Sequence, residues 1–404
     1  MIMIHPKTLL LPLLASLSVC ASAYVPRKAN FPDIPGYVTL KGDFHVHTAF
    51  SDGNVWPTTR VHEALYDDLD IISMTDHIHN RPLKYVASGD LPETTDQNSP
   101  YNLAKETARQ SGIILIHGGE VSRGNFHVSG HFNAHFLTDG KVLAACIDST
   151  MRDCKKKKMG QDESNELSLL YSLRMAKAQG AFIVWCHPHW ERQSVNRCPW
   201  GHIQDVLYKE GLMDGIEIVN YSVSEYVCKE ALHWAIEKNL AVMSGTDAHS
   251  PMEMVVDYES GDRRAMTLVI AKERTENGVR EALEAHRTLV CTDHFLYGRE
   301  ELLRQLYDAI LEVVSVSAKP EGVSIRVRNN SCIPVELEKA PGGEKYIHKR
   351  HFRINPGELY SITVKPAEGK TFTDSQVEIN YLVNNFQCDA DTPLKVSYKY
   401  EIQK

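Results

Sequence analysis

After its first two dozen residues the 404-residue chain contains no apolar run that approaches the roughly 20 residues needed to cross a bilayer as a helix. Positive charge is also short. Lys and Arg number 44 against 52 Asp and Glu, giving a formal net charge of −8, and the only basic run noted is Lys155 to Lys158. Nucleic acid, which needs a basic surface, is therefore not an expected partner. The short apolar run from Leu9 to Val19 follows Lys7 and precedes Ala21-Ser22-Ala23, the small-x-small pattern of a cleaved signal peptide. Residues 1–23 are expected to be removed on export to the periplasm or beyond. A lipid anchor on Cys20 is the competing reading, but Val19 fits a lipoprotein cleavage site poorly. Loss of Cys20 leaves an even number of cysteines in an oxidising compartment, where Cys146 with Cys154 and Cys332 with Cys388 are plausible pairs. Buried free thiols are the alternative.

The remaining chain is long enough for one large domain and a smaller one. From Leu40 to about Thr292, short apolar strands alternate with amphipathic helices, the pattern of a parallel α/β fold. Strands are expected near 40–45, 70–75, 113–119, 132–137, 181–186, 215–219, 241–245 and 289–292; seven or eight such units suggest a closed barrel. A helix over about 164–179 shows Leu167, Leu170 and Leu173 on one face and stops at Gly180. The polar stretch from His79 to Asn102 and the insert from Asp139 to Glu163 read as surface loops. After a helical stretch with Leu302, Leu303, Leu306 and Ile310, the period drops to two (Val323, Ile325, Val327). Strands near 333–337, 359–365, 376–383 and 394–402 then suggest a β-sandwich. The expected division is 1–23 leader, 24–298 barrel and 299–404 sandwich.

Chemistry-bearing residues gather at the strand ends. The first strand runs into Asp43-Phe44-His45-Val46-His47, where alternation puts both imidazoles on one face, within reach of one metal. Ser51-Asp52-Gly53, Thr75-Asp76-His77, Gly119-Glu120, Gly130-His131, His187-Pro188-His189 and Asp247-Ala248-His249 follow in turn. A lone histidine is usually a hydrogen-bonded core or surface residue. Ligands repeated at the same end of consecutive strands are what a barrel active site requires.

This set of motifs, spread over about 38–298, resembles the PHP (polymerase and histidinol phosphatase) family. The resemblance implies a distorted (β/α)7 TIM-like barrel, here with a C-terminal all-β sandwich-like domain, and three divalent metal ions. It implies that His45, His47, Glu120 and Asp247 hold the first ion, Glu120, His131 and His187 the second, and Asp52, His77 and His249 the third. A shared Glu120 makes physical sense, since a bridging carboxylate lessens the repulsion between two close cations. His127 and His135 compete with His131 for its place. Asp76 reads as an acceptor for the neighbouring imidazole rather than a ligand. Glu217 is open between that role, a substrate contact and plain core. His189, Arg192 and Arg123 would meet a substrate phosphate, or else be ordinary surface cations.

The expected activity is hydrolysis of phosphate mono- or diesters of a small-molecule substrate, with a metal-bridging hydroxide as nucleophile and Asp247, His249, Glu120, His189 and Arg192 at the chemistry. Manganese, zinc or iron suit the histidine and carboxylate donors. An amidohydrolase-like binuclear enzyme acting on amides, lactones or phosphotriesters is one alternative. The Thr75-Asp76-His77 and Asp247-x-His249 pairs count against it, because they supply ligands for a third ion. A non-enzymatic binding module is the other, and the complete ligand set counts against that.

Overall fold

The computed structural model describes residues 27–78, 96–122, 130–188, 200–221, 227–342, 345–367, 369 and 371–402. The leader, Arg123, His127, His189, Arg192 and Cys198 lie outside them.

Strands β1 (Val38–Asp43), β2 (Ile71–Met74) and β3 (Ile114–Ser122) pair in parallel, as do β5 (Phe182–Trp185), β6 (Gly215–Asn220) and β7 (Ala241–Gly245). β2, β5, β6 and β7 are buried along their whole length, as parallel strands between a barrel lumen and outer helices must be. The parallel rhythm breaks at β4 (His131–His135), which is antiparallel to both neighbours. This is the distortion of the barrel.

The seam between β7 and β1 is narrow. Past the end of β1, Val46 bridges Ala248 in parallel, with Asp247 N donating to His45 O at 2.8 Å and His47 N to Ala248 O at 3.1 Å. Along its own length β1 instead pairs with β8 (Met266–Ala271), an antiparallel strand absent from the sequence reading. β9 (Thr288–Thr292), expected as an eighth barrel strand, is antiparallel to β8 and to β10 (Phe295–Gly298).

Helices α1 (Pro57–Tyr66), α2 (Ser99–Ser111), α3 (Gly140–Lys157), α4 (Gln161–Ala178), α5 (His202–Lys209), α6 (Lys229–Glu237) and α7 (Glu276–Glu284) lie along the chain between the strands. The insert expected as a loop is thus the helix α3, started by the Asp139 side chain accepting from Lys141 N. On α4 the buried face is Ser164, Ser168, Leu169, Ser172, Leu173 and Ala176, while Leu167 and Leu170 are only half-buried. Small residues let this helix lie close, and of the expected leucine stripe only Leu173 is buried. Cys146, Cys154, Cys332 and Cys388 are all free thiols. Cys146 and Cys154 sit on one helix, about 12 Å apart along its axis, beyond the reach of a disulfide. The second suggested pair, Cys332 with Cys388, is not formed either.

The sheet continues past the barrel. β10 pairs in parallel with β17 (Gln376–Asp389), which also pairs with β13 (Val335–Lys339) and β18 (Thr392–Glu401); β15 (His351–Ile354) borders β13. A second sheet holds β11 (Leu311–Lys319), β12 (Gly322–Asn329), β16 (Leu359–Pro366) and β14 (Tyr346–His348). The expected alternation holds on β12, where Val323, Ile325 and Val327 are buried. Helix α8 (Glu300–Ile310) packs Leu302, Leu303, Leu306 and Ile310 into a core that also contains Val46 and Ile72 of the barrel and Ile379 and Val396 of the sandwich.

Candidate metal centre

The candidate residues arrive from separate elements at one end of the barrel. His45 and His47 follow β1, His77 follows β2, Glu120 lies near the end of β3, His187 follows β5, and Asp247 and His249 follow β7. His131 opens β4 rather than closing it. Because β4 runs backwards, its first residue is the one at this end.

Four atoms define the inner group. His45 Nε2 lies 3.1 Å from His47 Nε2 and 3.2 Å from Asp247 Oδ1; His47 Nε2 lies 3.0 Å from Asp247 Oδ1 and 3.3 Å from Glu120 Oε2; His45 Nε2 to Glu120 Oε2 is 3.6 Å. Ligands placed tetrahedrally about one ion at ordinary bond lengths stand about 3.4 Å apart. On its far side Glu120 Oε1 is 2.7 Å from His131 Nδ1 and 3.5 Å from His187 Nε2. An outer group brings together His47, Asp52, His77 and His249: Asp52 Oδ2 is 3.3 Å from His77 Nε2 and Oδ1 is 3.2 Å from His249 Nε2.

These residues fit divalent ions. His45 Nδ1 faces the Glu217 carboxylate at 2.8 Å, so its Nε2 lone pair points at the other ring nitrogens and carboxylates of the inner group. Glu120 Oε2 is buried and, although His77 Nδ1 stands 2.7 Å away, makes no well-directed hydrogen bond among the described residues. Without a cation, protons must supply the positive charge. Burial opposes charging of His45, but Asp247 and Glu217 outweigh it and raise its pKa well above the ordinary value. Burial of His77 is likewise outweighed by Glu120 and Asp52, which push it up to about 10. Burial also works against ionising Glu120 and Asp247; the charges of His77 and His131 hold the first far below the carboxylate range, and His45 and His47 the second. A divalent ion would replace those protons.

A layer behind these residues holds them. Glu217 accepts from His45 Nδ1 on one oxygen, and from His187 N and Asn220 Nδ2, each at 3.0 Å, on the other. Its open role resolves into orienting one imidazole and one backbone. Asp76 accepts from Thr48 N, Thr48 Oγ1 and Ser51 Oγ, and Ser51 Oγ lies 3.1 Å from His47 Nδ1. It therefore steadies the loop after β1 and, through Ser51, His47. The expected partner, His77, has Ser122 Oγ at 2.6 Å and Glu120 Oε2 at 2.7 Å from its Nδ1 instead. His135 sits deeper, with Nδ1 2.9 Å from Ser73 Oγ and its ring edge-on to Phe44. His131 meets Glu120 and His135 does not.

Asp247 (φ 52°) and His187 (φ 32°) both have left-handed backbones, a region that few residues other than glycine enter and that Asp and His tolerate better than most. Gly245 is needed where it stands, because a Cβ there would overlap His45 Cβ and Glu217 Oε1.

Two buried arginines were missed by sequence reasoning. Arg264 donates to Asp43 Oδ2 at 2.7 and 2.9 Å, and Asp43 in turn accepts from His45 N and Thr246 N. Arg60 bonds the backbone of the loops after β1 and β7. For Arg60 a signal existed, since it shares the apolar phase of Val61 and Ala64 on α1. Arg264 shows none.

A two-domain protein from Bacteroides vulgatus, described as containing a predicted PHP-like metal-dependent phosphoesterase, is 34% identical over 93% of this chain and 99% of that one, with a TM-score of 0.80. The chain belongs to this family of two-domain PHP-like metal-dependent phosphoesterases. A candidate metal-dependent phosphoesterase from Bifidobacterium adolescentis (17% identity, 52% of this chain, 87% of that one) and an amidohydrolase from Chromobacterium violaceum (16%, 53% and 89%) both reach a TM-score of 0.37, likenesses too loose to carry an argument. Residues 311–399 match a family described as an Ig-like domain. No curated protein matches.

Proposed function

We propose that this chain is an exported hydrolase of phosphate mono- or diesters that works at a three-cation centre. The observation that carries the reading is the convergence of His45, His47, Glu120 and Asp247 at ligand spacing, with Asp52, His77 and His249 assembled beside them. Glu120 is the shared carboxylate, one oxygen turned to the inner group and the other to His131 and His187. The outer group speaks for a third ion and against a binuclear amidohydrolase-like site. Export rests on the leader pattern of residues 1–23.

When bound, such cations lower the pKa of water from 15.7 towards about 7 and offset charge on phosphoryl oxygens. The chain's own residues supply the geometry. The His45, His47 and Glu120 side chains are essentially inaccessible, whereas those of Asp52 and His249 are 33% and 35% exposed, so substrate would enter on the outer side. Asp43 and Glu217 hold the loops still while charge moves to the leaving oxygen. His189 and Arg192 are the proposed phosphate contacts.

The test is hydrolysis of p-nitrophenyl phosphate and bis-p-nitrophenyl phosphate by protein lacking residues 1–23, with manganese or zinc, beside Asp247→Asn. Turnover lost in that variant is the expected result. A metal-filled protein that cleaves neither ester would sink the reading.

A further inference from the structure

The candidate ligands after β1 and those after β7 lie on opposite banks of the barrel's seam, which is crossed by backbone bonds from Asp247 N to His45 O, His47 N to Ala248 O and Asn54 N to His249 O, and from behind by one side chain. His47 comes from the β1 bank and His249 from the β7 bank, yet their rings stack at 4.2 Å with planes 16° apart.

Arg60, on α1, is fully buried, and its guanidinium spans both banks. Nε donates to His47 O at 2.9 Å, one terminal nitrogen to Ala248 O at 2.6 Å, and the other to Ser250 O at 3.0 Å and Glu63 Oε2 at 2.7 Å. Glu63 accepts from Met252 N at 2.9 Å through its second oxygen. The residues on either side of His249 are thus tied through their carbonyls to the same cation that holds the carbonyl of His47. A guanidinium has the fork for this, and an ammonium has not.

We propose that Arg60, supported by Glu63, is a positioning residue for the outer cation, setting His249 against the loop that carries His47 so that His249, with Asp52 and His77, closes around one ion. This rests on the three-cation reading above. The inner group is held separately, by Glu217 on His45 and by Asp43 under Thr246 and His45. Because the inner group has these further supports and His249 does not share them, loss of the Arg60 clamp is expected to weaken the outer ion most.

The experiment counts metal equivalents on the full mature protein by elemental analysis after equilibration at fixed free zinc, and records the unfolding temperature of the metal-free form. Wild type, Arg60→Lys and Glu63→Gln are compared. Wild type is expected to hold three equivalents and each variant two, the third binding at least about tenfold more weakly, with metal-free unfolding temperatures close to wild type. Three equivalents at wild-type affinity in the variants overturn the proposal, and so does uniform weakening of all three. If Arg60→Lys does not fold, Glu63→Gln decides, since its glutamine keeps an oxygen for Met252 N and its side chain is 12% exposed. Fewer than three equivalents on wild type overturn the three-cation reading as well, a result visible before any variant is made.

Discussion

Glu217→Gln isolates the support behind the inner group. The carboxylate uses both oxygens as acceptors, one for His45 Nδ1 and the other for His187 N and Asn220 Nδ2. A glutamine has one acceptor oxygen, so its amide must face either the imidazole N–H or the backbone N–H with another donor. Either arrangement turns a ligand away from the ion or leaves a buried donor unpaired. Removing the acceptor behind a metal-bound histidine weakens metal affinity by about 10 to 100-fold, or about 1.4 to 2.7 kcal/mol. The unpaired donor removes about 1 to 3 kcal/mol of stability. Zinc titration against a competing chelator, with urea unfolding of the metal-free protein alongside, reads both quantities. Zinc affinity within about threefold of wild type in a folded variant would refute the role given to Glu217.

Gly245→Ala is expected to lose metal, and about 1 to 3 kcal/mol of stability, through overlap with His45 and Glu217; elemental analysis and thermal unfolding check it. Burial lowers His135 to about 3, with the charge of His45 adding to the shift, so its stabilising contribution is complete above the unfolded value near 6.5 and disappears as pH falls towards 3. The metal-free protein should therefore lose about 2 kcal/mol through this residue between pH 7.5 and pH 5, and His135→Gln should flatten that part of the urea-unfolding profile. An unchanged profile would mean that the site is wetter than its burial implies. Leu303→Ala, in the core shared by barrel and sandwich, is expected to remove about 2 to 5 kcal/mol and to lower a single calorimetric transition. Two separate transitions would show that the domains unfold independently.

Much of the site was legible because its information is local. His45 and His47 share a face by alternation, and the motifs recur at strand ends, so the candidate ligands could be written down before any fold was known. The choice of His131 over His135 was not local. It depends on β4 running backwards, which puts its first residue beside Glu120 and leaves His135 at the level of Ser73 and Phe44. The missed β8 is likewise a matter of pairing: its Met-Thr-Leu-Val-Ile-Ala run is strand-like, but only its partner β1 gives it a place in the barrel sheet.

The sequence by itself determined which donors are present, that they follow strands, and that a period-two region comes after the barrel. Those are properties of residues a few positions apart. Tertiary structure decided the rest: the seam that stacks His47 on His249, the arginines that hold it, the free cysteines, and a sheet that passes from β10 into β17. Each of these joins residues far apart in the chain. Their contact energies exist only once packing has closed the loops between them, so no local pattern announces them.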